Sequence, residues 1–518
     1  MTSAAPKRVA IIGAGLTGLV AIKECLSEGL PVQCFENLGH IGGQWAYTPD
    51  TPEDVHSSMY HGCILNSARD TSSFSDFPLD PARYPDYFSH TLQLRYLKEY
   101  ATHFKVEKYI RFNTKVLECV PASEGGWTLK VQENGQPEEQ HHFDALVCAS
   151  GLLSKPVTPD FAGRDSFKGE FLHSHYYRTP GPFEGKRVAI IGLGSSAVDI
   201  ACEIGPQAKE LHLITRRGGW ILPRYVLGKP LEAWDDRATQ VWLPHNVSEW
   251  LQAKLLDIVG GKHPKELRCD HGLLAQNPVI RGDFVEKVRT GIVKVQRASV
   301  EAVTETGLSL STGTQLDVDV IICATGYNLT ELPHLPKDAV ASRELPAPHL
   351  DLYKCFVSPY YDNLYVLGRV EVFGPVTSAS EAQARVMAAM VSGKLSKPSH
   401  EEMMKSIRKR RAKQSHLIKT PRHFLTVHSV EYIDEVLAPL GCTPSVGKLL
   451  GRMFRGNPIR ALSVFKAVYF GIPSSSQWRL LGYGNNEKLA EATVLRIAHG
   501  KEKLSKVEEE ILGITTIP

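Results

Sequence analysis

Two glycine-rich turns, each set between an apolar run and a helical pattern, constrain the fold of this chain more than any other feature. The first turn spans residues 13–18 and follows Val9–Ile12, and the second spans 192–197 and follows Val188–Ile191. Such glycines permit a tight turn, close approach of the backbone to a pyrophosphate and close packing of helix on sheet. We therefore expect dinucleotide contacts at Gly13, Gly15 and Gly18 of the first turn, and at Gly192, Gly194, Ser195 and Ser196 of the second. The predicted class is α/β, with two Rossmann-type dinucleotide-binding domains.

The residue that follows the next strand differs between the two modules, and this difference separates the two nucleotides. The first module has Glu36 after Val32–Phe35, where a carboxylate accepts a hydrogen bond from a ribose 2′-hydroxyl and repels a 2′-phosphate. The second module has Thr215, Arg216 and Arg217 at the equivalent place. Guanidinium groups there can hold a 2′-phosphate through paired hydrogen bonds. The sequence therefore predicts FAD on the first module and NADPH on the second.

The order of apolar runs and helical patterns divides the chain into three segments. Residues 1–180 are expected to form the first part of the FAD domain, with a small β excursion over 111–149. Residues 181–325 are expected to form the NADPH domain, with a helical insertion at about 220–285, and 326–518 to return to the FAD domain and add a helical C-terminal region. Further parallel strands are predicted at Ala145–Ala149 and Val320–Ala324, excursion strands at Thr114–Cys119, Trp127–Val131 and Phe143–Val147, and helices at Gly18–Glu28, Leu92–Phe104 and Ala197–Ile204.

Composition and charge narrow the expected partners to small molecules. The formal net charge of +3 over 518 residues is too small to favour nucleic acid. None of the ten cysteines stands in a C-x-x-C motif, and no spacing typical of a metal site occurs. We therefore expect no metal, reduced thiols and a cytoplasmic location. No apolar run is long enough to predict a membrane-spanning helix.

Two basic segments leave contact with a membrane surface open. Residues 405–413 concentrate lysine and arginine on a helical pattern, and residues 448–473 mix cations with apolar side chains. A solvated helix face explains the first segment and core packing explains the second. Peripheral association with the endoplasmic reticulum membrane is the alternative. A homodimer also remains open. The residues of the second segment are Arg452, Arg455, Arg460 and Lys466 among Leu449, Met453, Phe454, Phe465 and Phe470.

Five short motifs along the chain together resemble those of the flavin-containing monooxygenases. The identifying one is F-x-G-x-x-x-H-x-x-x-Y, present as Phe167, Gly169, His173 and Tyr177 just before the second glycine turn. The others are Asn66-Ser67, Ser75-Asp76-Phe77-Pro78, Ala324-Thr325-Gly326-Tyr327 and Glu381-Ala-Gln383-Ala384-Arg385. The resemblance extends from about residue 8 to about residue 490.

This resemblance implies a reaction in which NADPH reduces FAD and O2 then adds at flavin C4a. The resulting hydroperoxide passes one oxygen atom to a soft nucleophile such as a tertiary amine or a sulfide, and the other leaves as water. Asn66 is expected to donate to the peroxide or the flavin edge, because a neutral amide adds no charge there. Asp283 is expected near the substrate channel, and His173 is expected to fix the junction between the modules. The remaining FAD contacts expected are Gln44 and Trp45 of a further glycine turn, Val116 and Gln383.

Three other functions remain as alternatives. A Baeyer-Villiger oxygenase acting on ketones shares the fold and both cofactors, although such enzymes usually have tryptophan where this chain has Tyr177. A disulfide reductase needs a redox-active cysteine pair, and the chain has none in C-x-x-C or C-x4-C form. A non-catalytic flavoprotein, acting as a sensor or as an NADPH oxidase, would not need both nucleotide turns intact. The substrate pocket is expected from residues 220–290, whose fold does not follow from the sequence.

Overall fold

The two predicted glycine turns lie in two separate parallel sheets. The computed structural model describes residues 5–52, 56–269, 271–417, 423–454 and 456–513. The first module begins the chain. Its elements are β1 (Val9–Ile12), α1 (Leu16–Ser27), β2 (Val32–Phe35), α2 (Arg69–Ser72), α3 (His90–His103), β3 (Ile110–Arg111), β4 (Thr114–Pro121), β5 (Trp127–Glu133), β6 (Glu138–Phe143) and β7 (Ala145–Cys148).

The second module includes the insertion and a small antiparallel sheet. Its elements up to the insertion are β8 (Glu170–His173), β9 (Arg187–Ile191), α4 (Ser195–Ile204) and β10 (Glu210–Thr215). The insertion contains β11 (Ile221–Leu222), β12 (Tyr225–Val226), β13 (Lys229–Pro230), α5 (Arg237–Trp242), α6 (His245–Gly260) and β14 (Val279–Ile280). The module ends with α7 (Phe284–Arg289), β15 (Lys294–Arg297), β16 (Val300–Val303), β17 (Gly307–Leu310), β18 (Gln315–Asp317) and β19 (Val320–Cys323).

The remainder of the chain returns to the first module and continues as a helical region. Its elements are β20 (Leu364–Val366), β21 (Glu371–Phe373), α8 (Val376–Val391), α9 (His400–Leu417), β22 (Thr426–His428), α10 (Ser429–Leu437), α11 (Val446–Gly451), α12 (Pro458–Phe470), α13 (Glu487–Ala498) and α14 (Lys506–Leu512). No helix among the described residues is both long and apolar enough to cross a membrane.

Both large sheets consist of parallel strands joined by crossovers. The first has the order β20-β7-β1-β2-β3, and the second has the order β15-β10-β9-β19-β8. Every residue of β1, β7 and β19 is buried. Strands covered on both faces read as continuous apolar runs, which is why the sequence shows runs there and no alternation. The predicted α/β class with two Rossmann-type domains is confirmed.

Three details differ from the sequence prediction. Strand β8 pairs with β19, so the second sheet takes a strand from before residue 181. The third strand of the β excursion is β6, paired with β5, whereas β7 belongs to the parallel sheet. The insertion is mixed: α5 and α6 accompany two-stranded sheets formed by β11 with β14 and by β12 with β13. Each missed strand is too short or too polar to give a periodic signal.

A buried ion-pair network fastens the C-terminal region to the first module. Arg479 donates to Glu24 of α1 at 2.6 Å and to Glu381 of α8 at 2.9 Å. Burial alone would raise the pKa of Glu24, but the nearby Arg479 and Lys23 cations outweigh it and lower that pKa to about 2. Removing one partner of such a network would leave an uncompensated buried charge, so the network fixes how the helices pack.

Most of the basic side chains in the segment 405–413 form ion pairs with acidic residues. Arg410, in the middle of α9, pairs with Glu435 at 2.6 Å, and Arg411 pairs with the fully buried Asp351. Arg408 pairs with Glu344. These pairs attach α9 to its neighbours, so they support a structural role for the segment in place of membrane contact.

The second basic segment is only partly used in the core. Its apolar side chains divide between burial and exposure: Leu449 is buried, whereas Phe454, Ile459 and Phe470 are 93%, 78% and 54% exposed. Core packing therefore explains this segment in part. Arg455 lies outside the described residues.

Candidate active site

Two of the three glycines in the first turn, Gly13 and Gly18, have no room for a side chain. Gly13 adopts φ +98°, a region that favours glycine, and a Cβ there would lie 2.8 Å from the carbonyl oxygen of Ala149. A Cβ on Gly18 would lie 1.8 Å from the carbonyl oxygen of Gly13, so α1 packs directly on the turn. Gly15 precedes α1, and no side chain caps the helix there. The first N–H groups of the helix are therefore available to a pyrophosphate.

Glu36 lies at the carboxyl end of β2, beside this turn. Its Oε2 accepts a hydrogen bond from the backbone N–H of Ala14 at 2.6 Å, and its Oε1 accepts one from that of Leu38 at 2.8 Å. The carboxylate is buried, and each oxygen retains a lone pair for a ribose hydroxyl. This anionic position fits the unphosphorylated ribose of FAD and would repel a 2′-phosphate.

A cleft of about 470 Å³ extends from the turn. Residues from separate parts of the first module meet there, because the carboxyl ends of the parallel strands share one edge of the sheet. The lining combines apolar side chains with the glycine turn and the carboxylate of Glu36, groups that suit a dinucleotide. The predicted FAD contacts that line it are Gly13, Gly15, Glu36, Gln44, Trp45 and Val116.

Gln383 is placed behind the wall of this cleft. Its Oε1 accepts a hydrogen bond from the N–H of Gly368 at 2.7 Å, and its Nε2 donates to the Tyr432 hydroxyl at 2.6 Å. Gly368 lines the cleft, whereas Gln383 is completely buried. Gln383 therefore does not line the cleft, as expected for a direct FAD contact, but supports the cleft residue Gly368 from behind.

Arg369 is a cleft residue that the sequence analysis missed. It follows β20, lines the cleft and donates from Nη2 to the carbonyl oxygens of Gly151 and Glu331, each at 3.1 Å. Burial lowers the pKa of Arg369 to about 10, which still leaves it cationic at neutral pH. A buried cation beside the cleft suits an anionic cofactor. The sequence contains a signal for this position, because the apolar run 364–367 followed by glycine is the pattern that marked other parallel strands.

The second glycine turn begins as tightly as the first, because a Cβ on Gly192, at φ +127°, would lie 2.5 Å from the carbonyl oxygen of Ala324. Gly192 follows β9, and Gly194 precedes α4 with no side chain capping the helix. A Cβ on Gly194 would meet no atom within 4 Å. Ser195 is exposed and Ser196 half-exposed at the first turn of α4. The free helix terminus and the open approach fit a nucleotide pyrophosphate.

The cationic pair lies at the same edge of the second sheet. Thr215 is the last residue of β10, which pairs in parallel with β9, so Arg216 and Arg217 follow at the strand ends that adjoin the turn. Both arginines are exposed, and neither guanidinium pairs with any residue that the structure describes. Unpaired guanidinium groups beside a nucleotide turn are suited to a 2′-phosphate. The residues present therefore fit NADPH.

The motif before the second turn joins the two modules. His173 ends β8, and its ring packs edge-on against Tyr327 with centroids 5.5 Å apart. Burial lowers the pKa of His173 to about 4, so the ring is neutral at physiological pH. Arg178 reaches the first module, where it donates to the carbonyl oxygens of Thr48 at 2.7 Å and Ser57 at 2.9 Å. The hydrogen bonds to the first module are therefore made by Arg178, one residue past the motif, whereas His173 packs on Tyr327.

Asn66 lies where the insertion meets the first module. Its Oδ1 accepts a hydrogen bond at 3.2 Å from Nη2 of Arg224, a residue 158 positions further along the chain. The side-chain amide nitrogen has no partner among the described residues and remains free to donate. The insertion also contacts the chain two residues later, where the backbone N–H of Ala68 donates a hydrogen bond to Glu232 at 2.7 Å.

Asn66 also lines a cavity of about 230 Å³, formed mainly by the insertion. Its walls are largely apolar, and Phe373 and Gly374 contribute to it beside β21. Val376, two residues later, lines the cleft beside the first glycine turn. One short segment therefore contributes to both spaces, which fits a substrate cavity next to a cofactor cleft.

Asp283 is not among the described residues that line this cavity. It pairs with Arg281 and Lys287, each at 2.7 Å. Burial would raise the pKa of Asp283, but the hydrogen bonds from these two cations prevail and lower it to about 2. A carboxylate that stays ionised and paired is poorly suited to proton transfer. Arg281 also pairs with Asp199 at 3.1 Å, so Asp283 helps to order this part of the second module.

Comparison with known proteins gives a family match over nearly the whole chain. Residues 6–507 match the flavin-binding monooxygenase-like family. Dimethylaniline monooxygenase [N-oxide-forming] 2 of Rattus norvegicus is 32% identical over 498 residues, covering 93% of this chain and 90% of the relative. Flavin-containing monooxygenase 5 of Mus musculus is 32% identical over 462 residues, covering 85% and 84%.

Solved structures share the fold. S-allyl-L-cysteine S-oxygenase from Allium sativum superposes with a TM-score of 0.64 at 24% identity, covering 87% of this chain and 91% of that one. The OTEMO complex with FAD and NADP superposes with a TM-score of 0.64 at 22% identity, covering 84% and 98%. The family resemblance predicted from the sequence is confirmed. This chain belongs to the flavin-binding monooxygenase-like family, and it is an NADPH-dependent flavoprotein monooxygenase that uses FAD.

Proposed function

We propose that the protein transfers one oxygen atom from O2 to the nitrogen or sulfur atom of an apolar amine or sulfide held in the insertion cavity. The observation that carries this proposal is the position of Asn66, which lines that cavity with its amide nitrogen free to donate. The names of the relatives agree with it, since one forms an N-oxide and a solved neighbour is an S-oxygenase.

Different residues of the protein bind the cofactors, orient the reacting groups and exclude water. Bound FAD supplies the redox chemistry, taking electrons from NADPH and activating O2. Glu36 would hold the ribose of FAD, and Arg216 with Arg217 would hold the 2′-phosphate of NADPH. The Asn66 amide donates a hydrogen bond toward the reacting oxygen without adding charge. The apolar cavity walls exclude water that would otherwise divert the oxygen to H2O2.

Product analysis under 18O2 tests the proposed reaction. With NADPH present, we expect a tertiary amine to give an N-oxide and a sulfide to give a sulfoxide, each with a single labelled oxygen. A cyclic ketone offered in parallel tests the Baeyer-Villiger alternative. An ester from the ketone with no oxide from the other substrates would contradict the proposal. NADPH oxidation with no oxygenated product would instead favour an NADPH oxidase or a sensor.

The substitution Arg216→Ala is expected to weaken the binding of NADPH but not that of NADH. Loss of a charge-assisted contact to the 2′-phosphate should raise the KM for NADPH about tenfold or more, and leave that for NADH within about twofold. Steady-state kinetics with both nucleotides measures the difference. Arg95→Ala, which removes an exposed arginine of α3 paired with Glu99, is the matched control. Equal changes for NADPH and NADH would count against the assignment.

We also propose that the exposed apolar face around α12 touches an anionic membrane surface. The aromatic side chains Phe454 and Phe470 and the aliphatic Ile459 protrude there, and Lys466 is exposed beside them. Flotation with phosphatidylserine vesicles should carry the enzyme, and a Phe454→Ser, Ile459→Ser double variant should stay behind. Equal flotation of both proteins would contradict the proposal. A concentration-dependent doubling of mass without vesicle binding would indicate a homodimer in its place.

A further inference from the structure

The insertion cavity carries an acidic group with no cationic partner. Among the described residues that line it, the charged side chains are Glu232 and Asp235, and both are acids. The rest of the wall is mainly apolar, with Leu222, Trp234 and Leu255 among its members. An anion in an apolar cavity favours either a proton or a cationic ligand.

Glu232 and Asp235 accept hydrogen bonds from different parts of the molecule. Each oxygen of Glu232 accepts one hydrogen bond from the first module, Oε1 from the N–H of Ala68 and Oε2 from the hydroxyl of Tyr87, each at 2.7 Å. Among the described residues, the donors to the Asp235 carboxylate are neutral amides, with Nε2 of Gln252 on Oδ1 and Nε2 of Gln240 on Oδ2, each at 3.0 Å. Both carboxylates therefore keep free lone pairs, but the donors on Glu232 tie the insertion to Tyr87 and to the loop that carries Asn66, whereas those on Asp235 belong to the insertion itself.

A further acceptor belongs to the same wall. The side-chain oxygen of Asn277, which also lines the cavity, is buried and has no donor among the described residues. A cavity with spare acceptors and no lining cation suits a ligand that brings a donor and a positive charge. A protonated amine with an apolar body has both properties.

Resting on the proposed function, we infer that Asp235 is the residue that accepts the proton from the ammonium group of an amine substrate. The N–H bond breaks, its electron pair stays on nitrogen, and the proton forms a bond to a carboxylate oxygen of Asp235. Oxygen transfer then uses that electron pair to form the N–O bond. The proton passes to solvent when the product leaves.

The electrostatics of the site agree with this role. Burial raises the pKa of Asp235 to about 7, and the nearby Asp236 and Glu232 carboxylates add to the effect. His428 and Glu431 face Asp235 across an adjoining small cavity. A carboxyl group that titrates near neutrality can both take up and release a proton at working pH.

The test compares an amine with a sulfide of similar shape. Asp235→Asn should lower kcat/KM for N,N-dimethylbenzylamine about tenfold or more and leave that for benzyl methyl sulfide within about twofold, because a sulfide brings no proton. Asp235→Glu should keep most amine activity. Asp257→Asn, which removes an acid of α6 outside the cavity wall, is the matched control.

The pH profile gives a second measurement. In the unmutated enzyme, kcat/KM for the amine should fall as the pH drops through about 7, where Asp235 becomes protonated, and this limb should vanish in Asp235→Asn. Equal losses for amine and sulfide, or an amine rate unchanged by Asp235→Asn, would overturn the assignment. If Asp235→Asn does not fold, failure of the folded Asp235→Glu variant to favour the amine over the sulfide would overturn it as well. Failure of the unmutated enzyme to oxygenate either substrate would refute the proposed function instead.

Discussion

Asn66→Ala is expected to leave FAD bound and NADPH consumption intact while the yield of oxygenated product collapses. The Asn66 amide nitrogen lies at the insertion cavity with no partner among the described residues, and Arg224 holds the amide oxygen. Loss of a well-placed donor of this kind costs on the order of a hundredfold in rate. The oxygen should then be lost as H2O2. Product and peroxide per NADPH, measured in one reaction, report the change.

The control for this variant is Asn134→Ala. Asn134 is exposed and lies between β5 and β6, outside both the cleft and the cavity. It should retain full coupling of NADPH oxidation to product. If Asn66→Ala also couples fully, Asn66 has no role in oxygen transfer. If it loses FAD, its role is structural.

Gly18→Ala is expected to yield protein that no longer holds FAD. The added Cβ would lie 1.8 Å from the carbonyl oxygen of Gly13, so α1 must move away from the turn that it packs on. Overpacking of this kind typically costs about 1–3 kcal/mol, and here it also displaces the helix terminus from the pyrophosphate. The flavin absorbance relative to that of protein measures the loss, and less than about a tenth of the FAD should remain.

Gly447→Ala is the matched control for the steric argument. Gly447 lies in α11, where an added Cβ would meet no atom within 4 Å. This variant should therefore keep its FAD and its melting temperature. A Gly18→Ala protein with full flavin content would show that the first turn does not bind the cofactor as described.

The sequence predicted the parts of the site that are local in the chain. Strands β1 and β2 have the bounds expected, because each is a short apolar run followed by a turn signal. The glycine turns and Glu36 lie within these same segments, so their relative positions follow from one βαβ unit. The family match likewise depends on motifs that are contiguous in sequence.

The parts that were missed depend on contacts between distant segments. Arg224 meets Asn66 only because the insertion folds over the first module. Gln383 faces Gly368 and not the cleft, and this follows from how α8 packs behind β20. Asp235 lies in a mixed insertion whose two-stranded sheets leave no periodic signal. Spacing in the sequence gives no measure of such contacts.

The assignment of FAD to the first module and NADPH to the second depends on the contrast between the acid Glu36 and the cations Arg216 and Arg217. Rapid-mixing measurement of flavin reduction in the absence of oxygen tests this contrast directly. The purified protein should be yellow, with about one FAD per chain, and NADPH should reduce it about tenfold or more faster than NADH at limiting nucleotide. A colourless protein that takes up no flavin, or equal reduction by the two nucleotides, would contradict it.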